Sequence, residues 1–328
     1  MRLRCPLACP AECWGRGCSP RLGWLGGCFH LSVRKLQEWL WERYGVKLSV
    51  GTVSAAQGQL AEALAAPVAE LAQAVRQAPA KYVDETSRKH AGERRWLWTV
   101  TTALWVFFAA QITRGQVEVR ALLGEMVQGI IVTDRYSGYR GLPLAQRQIW
   151  LRASAARLAA RIEERGGYGG RIGRRLRAYG QVLFRWHHRY RQGELDAATY
   201  RCRMQWLRRR VRAQLERGAG IGMFSGKTAG TCKQILAVES ALWTFVEHTH
   251  VEPTNNAAER ALRPFVIWRK LSFQTQSARG EHFVARLLTA AETCRRQQRP
   301  VSGYLLQAVT AYLTGMAPPS LIPQPASA

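Results

Sequence analysis

Acidic residues are scarce in this 328-residue chain: 22 Asp and Glu stand against 48 Lys and Arg. Lysine is scarcer still, supplying only seven of the 48 basic residues. The resulting net charge of +26 disfavours cationic or basic partners and favours an anionic one. Arginine has a planar donor fork that grips phosphate through two bonds at once, so this bias favours nucleic acid over a membrane surface or an acidic protein, although a GC-rich genome also yields arginine. Long apolar runs are also missing. One uncharged stretch needs a membrane check: Trp96 to Ile112 covers 17 residues, short of the about 20 that a spanning helix needs. Its Trp, Val, Thr and Phe content suits two adjacent buried strands instead. No apolar segment follows Arg2 and Arg4, so no signal peptide is expected, and the chain reads as soluble, cytoplasmic and without a membrane partner. With 47% hydrophobic residues it has enough apolar material to build a core.

Cysteine is unevenly spread. Five of eight (Cys5, Cys9, Cys13, Cys18 and Cys28) lie in the first 28 residues, next to His30, without two clean CxxC pairs. The sequence leaves metal binding by them open. Cys202, Cys232 and Cys294 are scattered and read as buried thiols of a reducing compartment.

The organisation follows from changes in pattern. Residues 1–28, rich in Cys, Gly and Pro, have no helical or strand period and read as an irregular segment. Residues 29–78 read as helical. Ser32 caps a helix to about Tyr44, with Val33, Leu36, Leu40 and Trp41 on one face. Gly45 breaks it, and Ser49 caps a second helix through Val53, Leu60 and Leu64. That outline fits a helix-turn-helix and, equally, an ordinary helical hairpin. Residues 79–145 turn strand-like: Lys81-Tyr82-Val83 runs into Asp84, two strands follow, Val117–Met126 reads as a helix, and Ile130-Ile131-Val132 is a short strand ending at Asp134. Residues 146–236 read as a basic helical insertion. Its 146–217 part holds 19 Arg against five acidic residues, and Met204, Leu207, Val211 and Leu215 form an apolar stripe beside Arg208, Arg209, Arg210 and Arg212. Residues 237–300 return to helices, the first running from Ala237 to about His248, and 301–328 read as a C-terminal helix with a Pro-rich tail.

Acids at strand ends are the candidate chemistry. Hard divalent cations want oxygen ligands, so phosphodiester cleavage by paired metals needs several carboxylates at one point. Asp84 and Asp134 each follow a short β-branched or aromatic run and are expected at the ends of neighbouring strands, although strand-end Asp commonly just starts a turn. Glu259 has a local alternative too, because Asn256 and Glu259 have the spacing of a capping box. Arg260, Arg263, Arg269 and Lys270, with Ser272, Thr275, Gln276 and Ser277 beyond them, form a basic and polar stretch suited to DNA phosphates.

Three segments resemble a known family: YVDETSRKHAGERRWLW (82–98), VTDRYSGYRGL (132–142) and the long run EPTNNAAERALRPFVIWRKLSFQTQSARGEHFVARLLTAAETCRRQQR (252–299). They are similar to the IS66 family of bacterial insertion-sequence transposases, with weaker similarity over His30–Pro79 and near Ala317. The resemblance implies an α/β fold: a ribonuclease-H-like catalytic core with a large basic helical insertion, preceded by a small helix-turn-helix-like region. It implies a DDE-type site of Asp84, Asp134 and Glu259 binding Mg2+ or Mn2+. It further implies cleavage at the ends of a mobile element, and joining of the freed 3′-hydroxyl to target DNA. The partners implied are double-stranded DNA, a homo-oligomer assembled on it and accessory transposition proteins, in a bacterial nucleoid. Members carry a coiled coil and a Cys/His segment ahead of the region seen here, which reads this chain as N-terminally truncated. Where members show Cys-Trp-x-His and an Arg-Asp pair, this chain has IWLRASAARLAARIEERG (149–166). The alternatives are a decayed remnant that only binds DNA and a structure-selective nuclease.

Overall fold

Ser32 and Ser49 do start helices, and both helices pack into the first unit. The computed structural model describes residues 11–150, 156–222, 226–271 and 277–323. The chain divides into two units, Met1–Gln128 with Asn256–Ala328, and Gly129–Asn255. The second unit is wider than the basic insertion expected over 146–236, because two strands and the loops around residue 250 fold with the basic helices. Overall the fold is α/β and mostly helical.

In the first unit, α1 (Ala11–Cys28), α2 (Val33–Tyr44), α3 (Val50–Ala63) and α4 (Ala65–Gln77) come first. Ser32 Oγ accepts the Lys35 N–H at 3.2 Å, and Ser49 Oγ accepts that of Thr52 at 3.0 Å. Gly45 closes α2 at φ 67°, a left-handed position suited to glycine. Leu36 and Leu40 are buried with Leu22 and Val53, whereas Trp41, expected on the same face, is exposed.

One expectation is corrected here. Residues 11–28 are not irregular but helical, with Pro20 inside the helix. The glycines that suggested loop serve close approach. A Cβ on Gly23 would lie 2.3 Å from Leu60 Cδ2, and one on Gly27 would lie 2.1 Å from Leu287 Cδ2. Tertiary packing thus overrides poor local propensity. Helix α3 has one face in the core and an exposed start at residues 50–52. It packs against α1, α2 and α4, and against α12 (Ala278–Arg296) and α13 (Val301–Leu313) near the C-terminus. It buries Val53, Leu60, Ala61 and Ala63 there.

The strands of this unit form an antiparallel meander in the order β3-β2-β1: β1 (Ala80–His90), β2 (Glu93–Thr101) and β3 (Val106–Gln111). Ala91 at φ 47° and Gly92 at φ 85° make a two-residue turn whose twist suits the hairpin. The uncharged run Trp96–Ile112 lies on β2, β3 and their turn, and no described helix is long and apolar enough to cross a membrane. Helix α5 (Gln116–Leu123) follows, shorter than expected.

Helix α12 runs along β3 and satisfies its outer backbone groups. Thr289 Oγ1 accepts the Phe108 N–H at 3.0 Å. Thr293 Oγ1 accepts the Val106 N–H at 3.1 Å and donates to the Val106 carbonyl at 3.0 Å. Both threonines are fully buried, so the edge of the meander is closed by side chains. The double substitution Thr289→Val, Thr293→Val keeps the shape and strands those groups. It should lower stability by about 2–5 kcal/mol in urea unfolding, and the corresponding serines should restore most of the loss.

The second unit opens on β4 (Ile130–Thr133), which pairs in parallel with β5 (Arg147–Ile149), Ile131 facing Arg147 and Thr133 facing Ile149. Strand β5 falls where the basic helical segment was expected to begin. Its buried Gln148 hides it from hydrophobic patterning. That side chain is satisfied internally: Nε2 donates to the Ile149 carbonyl at 2.8 Å and Oε1 accepts the Phe245 N–H at 2.8 Å. Then come α6 (Ala156–Glu164), α7 (Gly167–Arg191), α8 (Ala197–Gly220) and α9 (Gly226–Leu236), packed in sequence order. Met204, Leu207 and Leu215 of the expected stripe are buried along α8, which Asp196 caps through the Ala198 and Thr199 N–H groups. The helix expected from Ala237 to His248 is instead a 3-10 turn at Ser240–Leu242 and a single turn α10 (Thr244–Glu247).

Candidate functional site

Strand β1 carries Asp84 in its middle, not at its end as expected, because β1 stays paired with β2 as far as His90. Asp84 faces Thr99 across the ladder and is partly buried, and its Oδ1 accepts the Glu85 N–H at 2.9 Å. Glu85, on the other face, pairs with Arg114, whose guanidinium also lies 4.9 Å over the Trp96 ring.

In the second unit, Asp134 follows directly on β4. Its Oδ1 accepts the Tyr136 N–H at 2.8 Å, so the turn-starting role foreseen for it is real and uses one carboxylate oxygen. Behind it, buried Arg147 donates to Thr133 Oγ1 at 3.3 Å. Burial pulls the Arg147 guanidinium below its ordinary range, and Tyr139 and Asp134 oppose that.

Back in the first unit, α11 (Asn256–Leu271) holds Glu259 in its first turn, exposed to solvent. Negative charge is favoured there by the helix dipole. The helix begins at Asn256, which sets Glu259 one residue beyond the capping-box position. Among the described residues Glu259 makes no hydrogen bond or ion pair, so a capping box does not occupy it. Helix α11 packs on β1 and β2. Near its far end Arg269 donates to Thr86 Oγ1 at 2.9 Å and to the Ser87 carbonyl, fastening the Glu259 helix to the Asp84 strand.

Two of the three acids therefore sit in the first unit, on a strand and on the helix packed against it, and the third belongs to the second unit. No group of three or more His, Cys, Asp or Glu that could hold a metal ion occurs among the described residues.

The basic residues divide into engaged and exposed sets. Arg208 grips Glu239 with both arms, Nε to Oε1 at 2.8 Å and Nη2 to Oε2 at 2.9 Å, and Arg269 is spent on β1. A phosphate would have to displace those partners. Arg209, Arg210, Arg212, Arg260, Arg263 and Lys270 are exposed, Arg212 lying 2.9 Å from Glu216. Ser272, Thr275 and Gln276 lie outside the described residues, and Ser277 caps α12. Cys5 and Cys9 also lie outside them, and the side chains of Cys13 and Cys18 are not described. Cys28, Cys202, Cys232 and Cys294 are free thiols. Burial pushes Cys28 and Cys294 up to about 11, while Cys202, expected buried, is exposed.

Sequence reading missed one polar network. His187 on α7 meets Tyr200 OH on α8 through Nδ1 at 2.8 Å, and Glu252 Oε2 through Nε2 at 3.1 Å. Arg191 adds a 3.3 Å contact to Glu252, and Tyr190 stacks on Tyr200 at 4.1 Å. No local motif joins residues so far apart in the chain; only the packing of α7 on α8 does. The hydrogen bond from His187 holds the Glu252 carboxyl below its ordinary value against burial, which raises it; His187 and Arg191 charges assist. A depressed carboxylate stabilises the fold above its unfolded-state value and loses that contribution as pH falls through its own. Thermal unfolding between about pH 6 and pH 3 should show a steeper loss for the native chain than for Glu252→Gln.

Comparison with curated proteins yields no match. Comparison with family models yields one described as Transposase IS66 family, matching residues 29–282, a span that contains all three acids and both basic helices α8 and α11. The chain belongs to the IS66 family of transposases.

Proposed function

We propose that this chain is a DDE-type DNA transposase, using Asp84, Asp134 and Glu259 for metal-dependent cleavage and strand transfer of an insertion sequence. The catalytic core is then ribonuclease-H-like, with the basic helices α6 to α9 as its insertion. Family membership supports the transposase role. The observation that carries the site is Glu259, an exposed carboxylate with no bond or ion pair among the described residues, on a helix fastened to the strand of Asp84.

The donor set suits the metal that such a family implies. Three carboxylates offer the hard oxygen ligands that Mg2+ or Mn2+ prefers. Asp84 and Asp134 each tie Oδ1 to a backbone N–H, which fixes how each carboxylate presents itself. When bound, paired divalent ions would assist the attacking oxygen and the leaving oxygen of phosphoryl transfer.

The chain's own residues supply charge and grip. Arg260, Arg263 and Lys270 flank Glu259 along α11 and would hold phosphates of the bound strand; Arg209, Arg210 and Arg212 extend the surface on α8. In the first step water attacks the phosphorus at the element end, the P–O3′ bond breaks, and a 3′-hydroxyl and a 5′-phosphate result. In the second, that 3′-oxygen attacks a target phosphodiester, and the target's 3′-oxygen leaves with the proton. DNA ends and target are the partners, with a homo-oligomer assembled on them, helped by accessory transposition proteins, at the nucleoid.

The test is incubation of the full chain with duplex carrying the ends of its own element. Nicked and joined products should require Mg2+ or Mn2+, vanish with a chelator and vanish in the triple Asn, Asn, Gln variant. Joining by that variant would refute the site, and cutting without joining would favour a nuclease. No observation favours the binding-only alternative.

A further inference from the structure

Two tryptophans stand together on the packed helices α7 and α8. Their ring centroids, Trp186 and Trp206, are 6.1 Å apart and the rings are tilted by 56°. The Arg203 guanidinium lies 5.5 Å over Trp186 and that of Arg210 lies 5.3 Å over Trp206. Arg203, Trp206 and Arg210 recur at intervals of three and four and so share one face of α8.

That face borders the buried one. Leu183 on α7 and Met204 and Leu207 on α8 are buried beside it, whereas Trp206 is 43% exposed and Trp186 partly so. An indole left in water beside guanidinium groups adds little to folding. Arg210 covers one face of Trp206, and the exposed remainder of that ring is available to a ligand. The surroundings set the sign of that ligand's charge: α7 and α8 carry seven arginines each, with Glu216 their one acid.

We propose that Trp186 and Trp206, clasped by Arg203 and Arg210, form a platform on which unpaired bases of a single DNA strand stack. A paired base hides its faces within the duplex and shows only its edges, so ring-to-ring stacking selects an unpaired strand. Exposed Arg185 and Arg209 on the same two helices supply contacts to its phosphates. The inference rests on the reading of the chain as a DNA transposase: nicking at an element end releases a strand terminus that such a surface can hold.

Binding of a labelled oligothymidine and of an equally long duplex to the full chain, followed by fluorescence anisotropy, tests it. Native chain should bind both, with tryptophan fluorescence quenched by the oligothymidine. Trp206→Ala should weaken oligothymidine binding about tenfold and duplex binding less than about twofold, and Trp206→Phe should keep most of the affinity. Arg209→Ala should weaken both alike, as expected of a phosphate contact. Equal losses on both DNAs with Trp206→Ala, or none on either, would overturn the platform and leave the transposase reading standing. Failure of the native chain to bind either DNA would overturn both.

Discussion

Asp84→Asn, Asp134→Asn and Glu259→Gln should each cut metal-dependent strand joining by about a thousandfold or more, about 4 kcal/mol in the barrier, while the chain stays folded and DNA-bound. Each replacement keeps shape and removes one negative charge and one strong metal ligand. The structural consequences differ among the three, which makes the set informative. Asn at 134 still offers an oxygen to the Tyr136 N–H, so the turn after β4 survives. Asn at 84 likewise can accept the Glu85 N–H within β1. Glu259 is the cleanest position. It is exposed and unpartnered among the described residues, so Glu259→Gln should move stability by less than about 0.5 kcal/mol. Lost joining with an unchanged melting curve would then report chemistry and not folding. Joining at the native rate by any of the three would remove that residue from the site. Arg269→Ala is the useful companion: it frees α11 from Thr86 and Ser87 and should lower joining by loosening the Glu259 helix, with a measurable loss of stability as well.

How much of this could be read from the chain depends on the range of the forces involved. Ser32, Ser49 and Gly45 act on neighbours three or four residues away, so both caps and the break were legible. Strands β2 and β3 were legible for a similar reason, since Trp96–Ile112 is apolar, β-branched and aromatic. Helix α1 was not, because its Gly and Pro content argues against a helix until Leu60 and Leu287 are brought against Gly23 and Gly27. The extent of β1 was hidden as well. Residues 86–90 are polar and charged, and they are held in the strand by pairing with β2 and by the Arg88 contact to Glu281 on α12. The three acids were singled out by resemblance of whole segments, since spacing alone gave Asp134 a turn and Glu259 a cap. One of those local roles is present and the other is not. The arginines show the same limit: a basic run does not reveal that Arg208 is matched to Glu239 or Arg269 to the backbone of β1.

Lys81→Met should destabilise the first unit by about 3–5 kcal/mol, the largest stability effect expected for a single side chain outside the packed apolar core. Lys81 is fully buried at the start of β1. Its Nζ donates to the carbonyls of Arg76 at 2.9 Å, Ala78 at 2.7 Å and Gln128 at 2.5 Å, one for each ammonium proton. The first two lie at the end of α4, where unpaired carbonyls concentrate partial negative charge. The third is the last residue of the first unit's leading segment, so one ammonium fastens helix end, strand start and departing chain. Burial pushes its pKa down to about 8, which leaves it mostly charged, with all three protons to give, at pH 7. Methionine fills the space and donates nothing, and three carbonyls then face an apolar atom instead of a cation. Arginine is no remedy, because a planar fork cannot aim three donors at carbonyls converging on one point. Urea unfolding at pH 7 decides it. A midpoint for Lys81→Met equal to that of the native chain would show that the ammonium merely fills a hole, and a lower one shared by Lys81→Arg would assign the effect to the threefold geometry.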